Sequence, residues 1–148
     1  MKILVPVDGS EPALDAVRHA LRLRGEGLQA SYVLATVQDP TYLYEMVLAP
    51  DADVLERVAG AVGARALDGA EALFKAAAVP YEREIASGFA APTLIEVAER
   101  YACDGVVMGA RGMGAVRGAL LGSVSQAVLH ACKLPVTIVK HAQAVPAA

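Results

Sequence analysis

Residues 109–125 read Gly-Ala-Arg-Gly-Met-Gly-Ala-Val-Arg-Gly-Ala-Leu-Leu-Gly-Ser-Val-Ser, and this stretch decides the fold prediction. An apolar run at residues 106–108 precedes it, and an apolar-periodic segment begins at residue 124. This order predicts a strand, a glycine-rich loop and a helix that opens with Ser-x-Ser. Glycines let a backbone approach a ligand closely and adopt positive φ at little cost. Because a helix start adds unpaired N–H groups and partial positive charge, the segment is suited to phosphate.

Glycine content alone does not establish such a site, because a flexible strand-to-helix connection has the same composition. Two standard nucleotide-binding patterns are also missing from the sequence. A P-loop requires a lysine that this segment lacks, and the dinucleotide fingerprint requires Gly-x-Gly-x-x-Gly directly after a first strand. What the segment carries is Gly109-x-x-Gly112, nine further residues, and then Gly122-Ser123.

This spacing resembles the nucleotide-binding signature of the universal stress protein family, in its ATP-binding branch. The segment Lys2-Ile3-Leu4-Val5-Pro6-Val7-Asp8-Gly9-Ser10 resembles the opening strand and turn of that family, and residues 133–140 resemble its last strand. The resemblance extends from Met1 to about Lys140. It implies an adenine-nucleotide α-hydrolase-like fold and a protein that binds ATP with Mg²⁺ or Mn²⁺, the metal being held mainly through the phosphates.

Strand and helix patterns alternate along the chain. Short apolar runs predict strands at residues 3–7, 31–37, 81–86, 105–108 and 136–140. Helical patterns occupy the intervals between them, at residues 10–24, 51–78, 88–100 and 123–131. Five strands alternating with four helices predict an open α/β fold, a Rossmann-like parallel sheet with right-handed crossovers and helices on both faces. The pattern does not give the strand order, for which the resemblance implies 3-2-1-4-5.

In that order the chain reverses direction between strands 1 and 4, and ligands of open α/β sheets bind beyond the carboxyl ends of the strands at such a point. Asp8 ends the first strand and Gly109 ends the fourth, so both are expected at one crevice. A carboxylate at this place can accept hydrogen bonds from ribose hydroxyls. Asp-Gly-Ser is also a common turn, so Asp8 has a structural interpretation beside the functional one.

The predicted nucleotide site contains twelve residues: Pro6, Val7, Asp8, Val37, Met108, Gly109, Arg111, Gly112, Gly122, Ser123, Val124 and Ser125. Apolar groups at the strand ends are suited to flank adenine, and the resemblance gives the backbone of Val37 a role at the adenine edge. The resemblance also places residues 122–125 around the phosphates, with backbone N–H donors. The hydroxyls of Ser123 and Ser125 could instead cap their own helix. Arg111 and Arg117 could meet a phosphate or remain solvated.

Composition sets the remaining bounds. The 148 residues are 55% hydrophobic and 20% charged with a net charge of −3, which predicts one soluble domain with a disordered tail at about residues 141–148. No apolar run could span a bilayer and no signal peptide is visible, so a cytoplasmic protein is expected. The mildly acidic net charge does not favour nucleic acid as a partner. Cys103 and Cys132 lack metal-ligand spacing and are predicted to be reduced, buried or half-buried thiols.

The family resemblance implies a regulatory stress-response protein whose nucleotide state is read by other proteins. Two alternatives stay open: a weak ATPase or nucleotidyl-transfer enzyme of the same architecture, and a nucleotide-free module that acts through a dimer surface. The absence of a Walker lysine and of a positioned base argues against the enzyme, so no catalytic residue is assigned. Residues 136–139 are apolar and would lie at a sheet edge, which predicts a homodimer built on the last strand, as the resemblance also implies.

Overall fold

The computed structural model describes residues 1–40, 52–112 and 121–141, so Arg117 and the predicted tail after His141 lie outside the described residues. The described elements are β1 Lys2–Pro6, α1 Glu11–Gly25, β2 Ser31–Gln38, α2 Ala52–Ala76, β3 Glu82–Ser87, α3 Ala90–Arg100, β4 Gly105–Gly109, α4 Ser123–Ala131 and β5 Val136–Val139. Every strand and helix predicted from the sequence is present, with its ends displaced by two residues at most. None of the helices in these ranges is long and apolar enough to cross a membrane.

The five strands form one parallel sheet in the order β3-β2-β1-β4-β5, which confirms the order implied by the family resemblance. β1 is central: Leu4 lies opposite Val33 of β2 on one side and opposite Val106 of β4 on the other. The winding of the chain therefore reverses between β1 and β4, and the carboxyl ends of these two strands lie side by side.

Two apolar cores cover the two faces of the sheet, because successive side chains of a strand point to opposite faces. Ile3 and Val5 of β1 pack into the core beneath α1 and α2, where Phe74 is fully buried. Leu4 packs into the other core, beneath α3 and α4, where Val97 is fully buried. The sheet is thus held between two helical layers, and the ends of its strands are left to form a site.

Helix α2 departs from the sequence expectation in its buried face. The sequence predicts an apolar stripe made of its large residues, Val54, Leu55, Val58, Val62, Leu67, Leu73 and Phe74. Leu67 and Phe74 of this stripe are buried and its other five members are half-buried, while the further buried residues of the helix are Ala59, Gly63 and Ala70. A Cβ at Gly63 would overlap Cγ2 of Ile85, so α2 approaches β3 too closely for a side chain at this position. Small residues therefore share the buried face with the predicted stripe.

The two cysteines are packing residues, as predicted. Cys103 is buried and Cys132 is half-buried, and both carry free thiols. Burial raises the pKa of the Cys103 thiol, which disfavours the reactive thiolate form. Both side chains pack in or against the core beneath α3 and α4.

Candidate functional site

A cleft opens at the carboxyl edge of the sheet, where β1 and β4 end. Its volume is about 210 Å³, far more than the roughly 10–15 Å³ that one buried water needs. All twelve residues of the predicted nucleotide site line this cleft. Four lining residues were missed by the sequence analysis, and all are apolar: Ala13, Ala90, Leu94 and Leu121. Ala13, Ala90 and Leu94 lie in the opening turns of α1 and α3, which follow strands, so the strand order could have located them.

Asp8 joins the end of β1 to the start of α1. Its Oδ1 accepts hydrogen bonds from the backbone N–H of Ser10 at 2.9 Å and from the Ser10 hydroxyl. Ser10 in turn caps α1 by accepting a hydrogen bond from the N–H of Ala13 at 3.4 Å. Gly9, between them, has a φ of +86°, which L side chains rarely adopt. The turn interpretation of Asp8 is therefore confirmed for one carboxylate oxygen.

The second carboxylate oxygen of Asp8 faces the glycine-rich loop. A Cβ at Gly112 would overlap Oδ2 of Asp8, so β1 and the loop after β4 approach each other at these two residues. The structure thus brings together two segments that are far apart in the sequence, as the strand order predicts. Any side chain at position 112 would displace the carboxylate of Asp8.

The glycines of the loop provide space rather than unusual backbone angles. The described glycines with positive φ are Gly9, Gly27 and Gly88. Of the two properties of glycine named above, Gly109, Gly112 and Gly122 therefore use the absence of a Cβ and not the freedom to adopt positive φ. A Cβ at Gly109 would lie 2.6 Å from the carbonyl oxygen of Pro12, in the first turn of α1. A Cβ at Gly122 would lie 3.3 Å from Cα of Arg111. These glycines let segments of the protein itself pack closely around the cleft.

Helix α4 begins at the cleft without a side-chain cap. Its N-cap is Gly122, with φ −75° and ψ 168°, so the expectation that Ser123 or Ser125 caps the helix is wrong. The N–H groups of the first turn have no acceptor within the helix, and Gly122 has no side chain to supply one. The first turn also carries no acidic residue. The N–H groups of this turn can therefore donate hydrogen bonds to a bound anion.

The cleft has apolar and polar lining residues. Pro6, Val7, Val37 and Leu94 supply apolar side chains. Asp8, Arg111 and the first turn of α4 supply one carboxylate, one guanidinium and backbone N–H donors. In the described residues, no three His, Cys, Asp or Glu side chains are placed to hold a metal ion. This lining is suited to a molecule that carries both a flat apolar ring and anionic groups.

Comparison with known proteins gives the same family as the sequence motifs. The family model of the universal stress proteins matches residues 1–140. The chain is 28% identical over 139 residues to universal stress protein MJ0531 of Methanocaldococcus jannaschii, covering 94% of this chain and 81% of that protein.

Solved structures of the same family have the same fold. Universal stress protein UspA from Lactobacillus plantarum is 25% identical with a TM-score of 0.77, covering 94% of this chain and 97% of that one. A universal stress protein in complex with cAMP is 28% identical with a TM-score of 0.62, covering 95% of this chain and 96% of that one. Since the family model extends over nearly the whole sequence and agrees with the fold, the chain belongs to the universal stress protein family.

Proposed function

We propose that this protein binds ATP, together with Mg²⁺ or Mn²⁺, in the cleft between Asp8 and the start of α4, and that its nucleotide state is a regulatory signal in a stress response. The observation that carries the proposal is that one cleft, at the point where strand winding reverses, combines apolar side chains with the uncapped first turn of α4. The cAMP complex of a relative that is 28% identical supports an adenine nucleotide as the ligand class.

In this proposal the apolar and the polar lining residues contact different parts of the nucleotide. Adenine lies against Pro6, Val7 and Val37, and the ribose hydroxyls donate hydrogen bonds to Asp8. The phosphates accept hydrogen bonds from the first-turn N–H groups of α4 and meet the guanidinium of Arg111. A divalent cation, when bound, neutralises charge on the phosphates, and phosphate oxygens can hold it without a dedicated set of side chains.

The first prediction is a preference for adenine over guanine. Titration calorimetry with ATP and GTP, each with Mg²⁺, is expected to show ATP binding at least about tenfold more tightly, a difference of about 1.4 kcal/mol. Both nucleotides carry the same phosphates, so the difference in affinity has to come from the base. In this proposal the backbone of Val37 contacts the edge of adenine, and guanine carries different hydrogen-bonding groups there. Undetectable binding of millimolar ATP by correctly folded protein would contradict the proposal.

Binding without efficient hydrolysis is the expected behaviour. Among the described lining residues, the ionisable side chains are Asp8 and Arg111, and one oxygen of Asp8 is engaged by Ser10. Phosphoryl transfer to water requires an oriented nucleophile as well as charge neutralisation. Steady release of phosphate or pyrophosphate by a small amount of protein over excess ATP would instead support the alternative of a weak ATPase or nucleotidyl-transfer enzyme.

We further propose that the protein forms a homodimer through β5. β5 is an outer strand of the sheet, paired with β4 on one side. Val136, Ile138 and Val139 are half-buried and Thr137 is exposed within the single chain. An apolar edge strand presents backbone groups and side chains that folded proteins usually cover or pair. A two-fold axis beside β5 would cover this edge with a second copy of itself.

The second prediction tests this surface with Ile138→Asp. A charge on the edge strand is expected to convert dimer to monomer, measured by light scattering at micromolar concentration, because it would be buried without a partner in the interface. Ile138 also packs against the core beneath α3 and α4. Thermal unfolding must therefore be followed in parallel, and some loss of stability is expected.

Lys140→Asp is the matched control, because Lys140 is exposed and follows the end of β5. This variant is expected to remain dimeric. A wild-type protein that is monomeric throughout the micromolar range would refute the proposed dimer. An Ile138→Asp variant that is both dimeric and as stable as wild type would refute it equally.

A further inference from the structure

One backbone carbonyl ties the two ends of the glycine-rich loop together. The carbonyl oxygen of Ala110 accepts a hydrogen bond from the N–H of Gly122 at 2.7 Å and from the hydroxyl of Ser125 at 2.6 Å. The N–H of Ala110 donates to the carbonyl of Val139 in β5 at 2.9 Å. We call Ala110, Gly122 and Ser125 the loop anchor. It fixes the start of α4 to the end of β4, and through β4 to the sheet.

The hydroxyl of Ser125 is committed to this anchor. Ser125 is 2% exposed, and its Oγ lies 2.6 Å from the carbonyl of Ala110 and 3.0 Å from the carbonyl of Gly122. A hydroxyl has one hydrogen to donate, and both neighbours are acceptors. The side chain therefore has no hydrogen left for a phosphate.

We infer that Ser125 is a positioning residue for the phosphate end of the cleft: its hydroxyl acts through the carbonyl of Ala110 to hold the first turn of α4 in place, and does not contact the ligand. The inference rests on the proposed nucleotide function for its effect on binding, but the anchor itself is a property of the ligand-free protein. The close packing of Gly122 on Arg111, where a Cβ would lie 3.3 Å from Cα, belongs to the same junction.

Loss of the Ser125 hydroxyl is expected to weaken binding of the phosphates and not binding of the base. Loss of the hydroxyl removes one of two hydrogen bonds at the Ala110 carbonyl, so the first turn of α4 can move away from β4. The N–H donors of that turn then lose their alignment toward the phosphates. The apolar wall is formed by Pro6 at the end of β1, by Val7 directly after it and by Val37 in β2, and it does not depend on the anchor. Binding of a nucleoside without phosphates should therefore be unaffected.

The test compares Ser125→Ala with Ser125→Thr, which keeps the hydroxyl. In ligand-free Ser125→Ala, hydrogen exchange of the Gly122 amide is expected to accelerate about tenfold, while amides of the central strand β1 keep their protection. Affinity for ATP with Mg²⁺ is expected to fall about three- to tenfold, and affinity for adenosine to stay within about twofold of wild type. Ser125→Thr is expected to resemble wild type in all three measurements.

Each result separates the anchor from the nucleotide site. Unchanged exchange at Gly122 in Ser125→Ala would overturn the inference, and so would an equal loss of ATP and adenosine binding. A loss of ATP binding with unchanged exchange at Gly122 would mean that the hydroxyl contacts the ligand, which also overturns it. If wild type binds no nucleotide while Gly122 exchange accelerates in the variant, the proposed function fails and the anchor stands. If Ser125→Ala does not fold, Ser125→Cys, which fills the site with a slightly larger side chain and a weaker donor, is measured with the same expected directions.

Discussion

Replacing Gly122 with valine is expected to abolish ATP binding, whereas replacing Ser123 with alanine is expected to weaken it by about tenfold or less. The reason is the surroundings of Gly122. A Cβ there would lie 3.3 Å from Cα of Arg111, 3.5 Å from the carbonyl oxygen of Ala110 and 3.7 Å from the N–H nitrogen of Gly112. All three are backbone atoms and cannot rotate out of the way. Valine adds two further carbons beyond Cβ, so either the loop or the start of α4 must move.

The backbone angles of Gly122 sharpen this prediction. Its φ of −75° is open to any residue, so the variant is not expected to suffer backbone strain, and crowding alone has to account for the loss. Gly122→Ala places a single carbon at the tight position and should give an intermediate affinity. Calorimetry with ATP and Mg²⁺ measures the effect, and circular dichroism verifies folding. A folded Gly122→Val variant that binds ATP like wild type would show that this loop does not hold the phosphates.

The sequence was sufficient for the elements and for twelve of the residues that line the cleft. Spacing of apolar residues located each strand and helix, because both elements bury one face and their periods differ. The motif formed by Gly109, Gly112 and Gly122-Ser123 located one wall of the cleft, and Asp8 located the other. The strand order came from the family resemblance, since a pattern of alternating strands and helices is compatible with several orders of a parallel sheet.

The roles of individual residues depended on distances that the sequence does not contain. Gly109 is small because it meets the backbone of Pro12, which is remote in the chain. Ser125 turns its hydroxyl inward because it lies over the end of β4 rather than at the helix N-cap. Gly63 is small because Ile85 packs into the same space. Each case is a close approach between elements, which residue type and periodicity along one element cannot reveal.

Replacing Phe74 with alanine is expected to destabilise the fold by about 3–5 kcal/mol. Phe74 is 0% exposed in α2, and its ring meets those of Tyr32 at 5.2 Å and Tyr81 at 5.5 Å, both edge-on. The tyrosine hydroxyls are held as well, by the carbonyl of Ala20 in α1 and by the carboxylate of Glu71 in α2. Because these partners are fixed, the space left by the missing ring cannot close, and the loss includes the cavity as well as the buried apolar surface.

Phe89 provides the matched control, since the chain contains two phenylalanines and this one is 74% exposed at the start of α3. Phe89→Ala is expected to change stability by about 0.5 kcal/mol or less. Urea unfolding of both variants and wild type, at one protein concentration so that any dimer contributes equally, measures the difference. A domain of this kind has a total stability of about 5–15 kcal/mol, so Phe74→Ala removes a large share of it. A loss below about 1 kcal/mol would mean that the three-ring cluster is not what fastens α2 to the sheet, and that the small residues Ala59, Gly63 and Ala70 carry the packing of this helix instead.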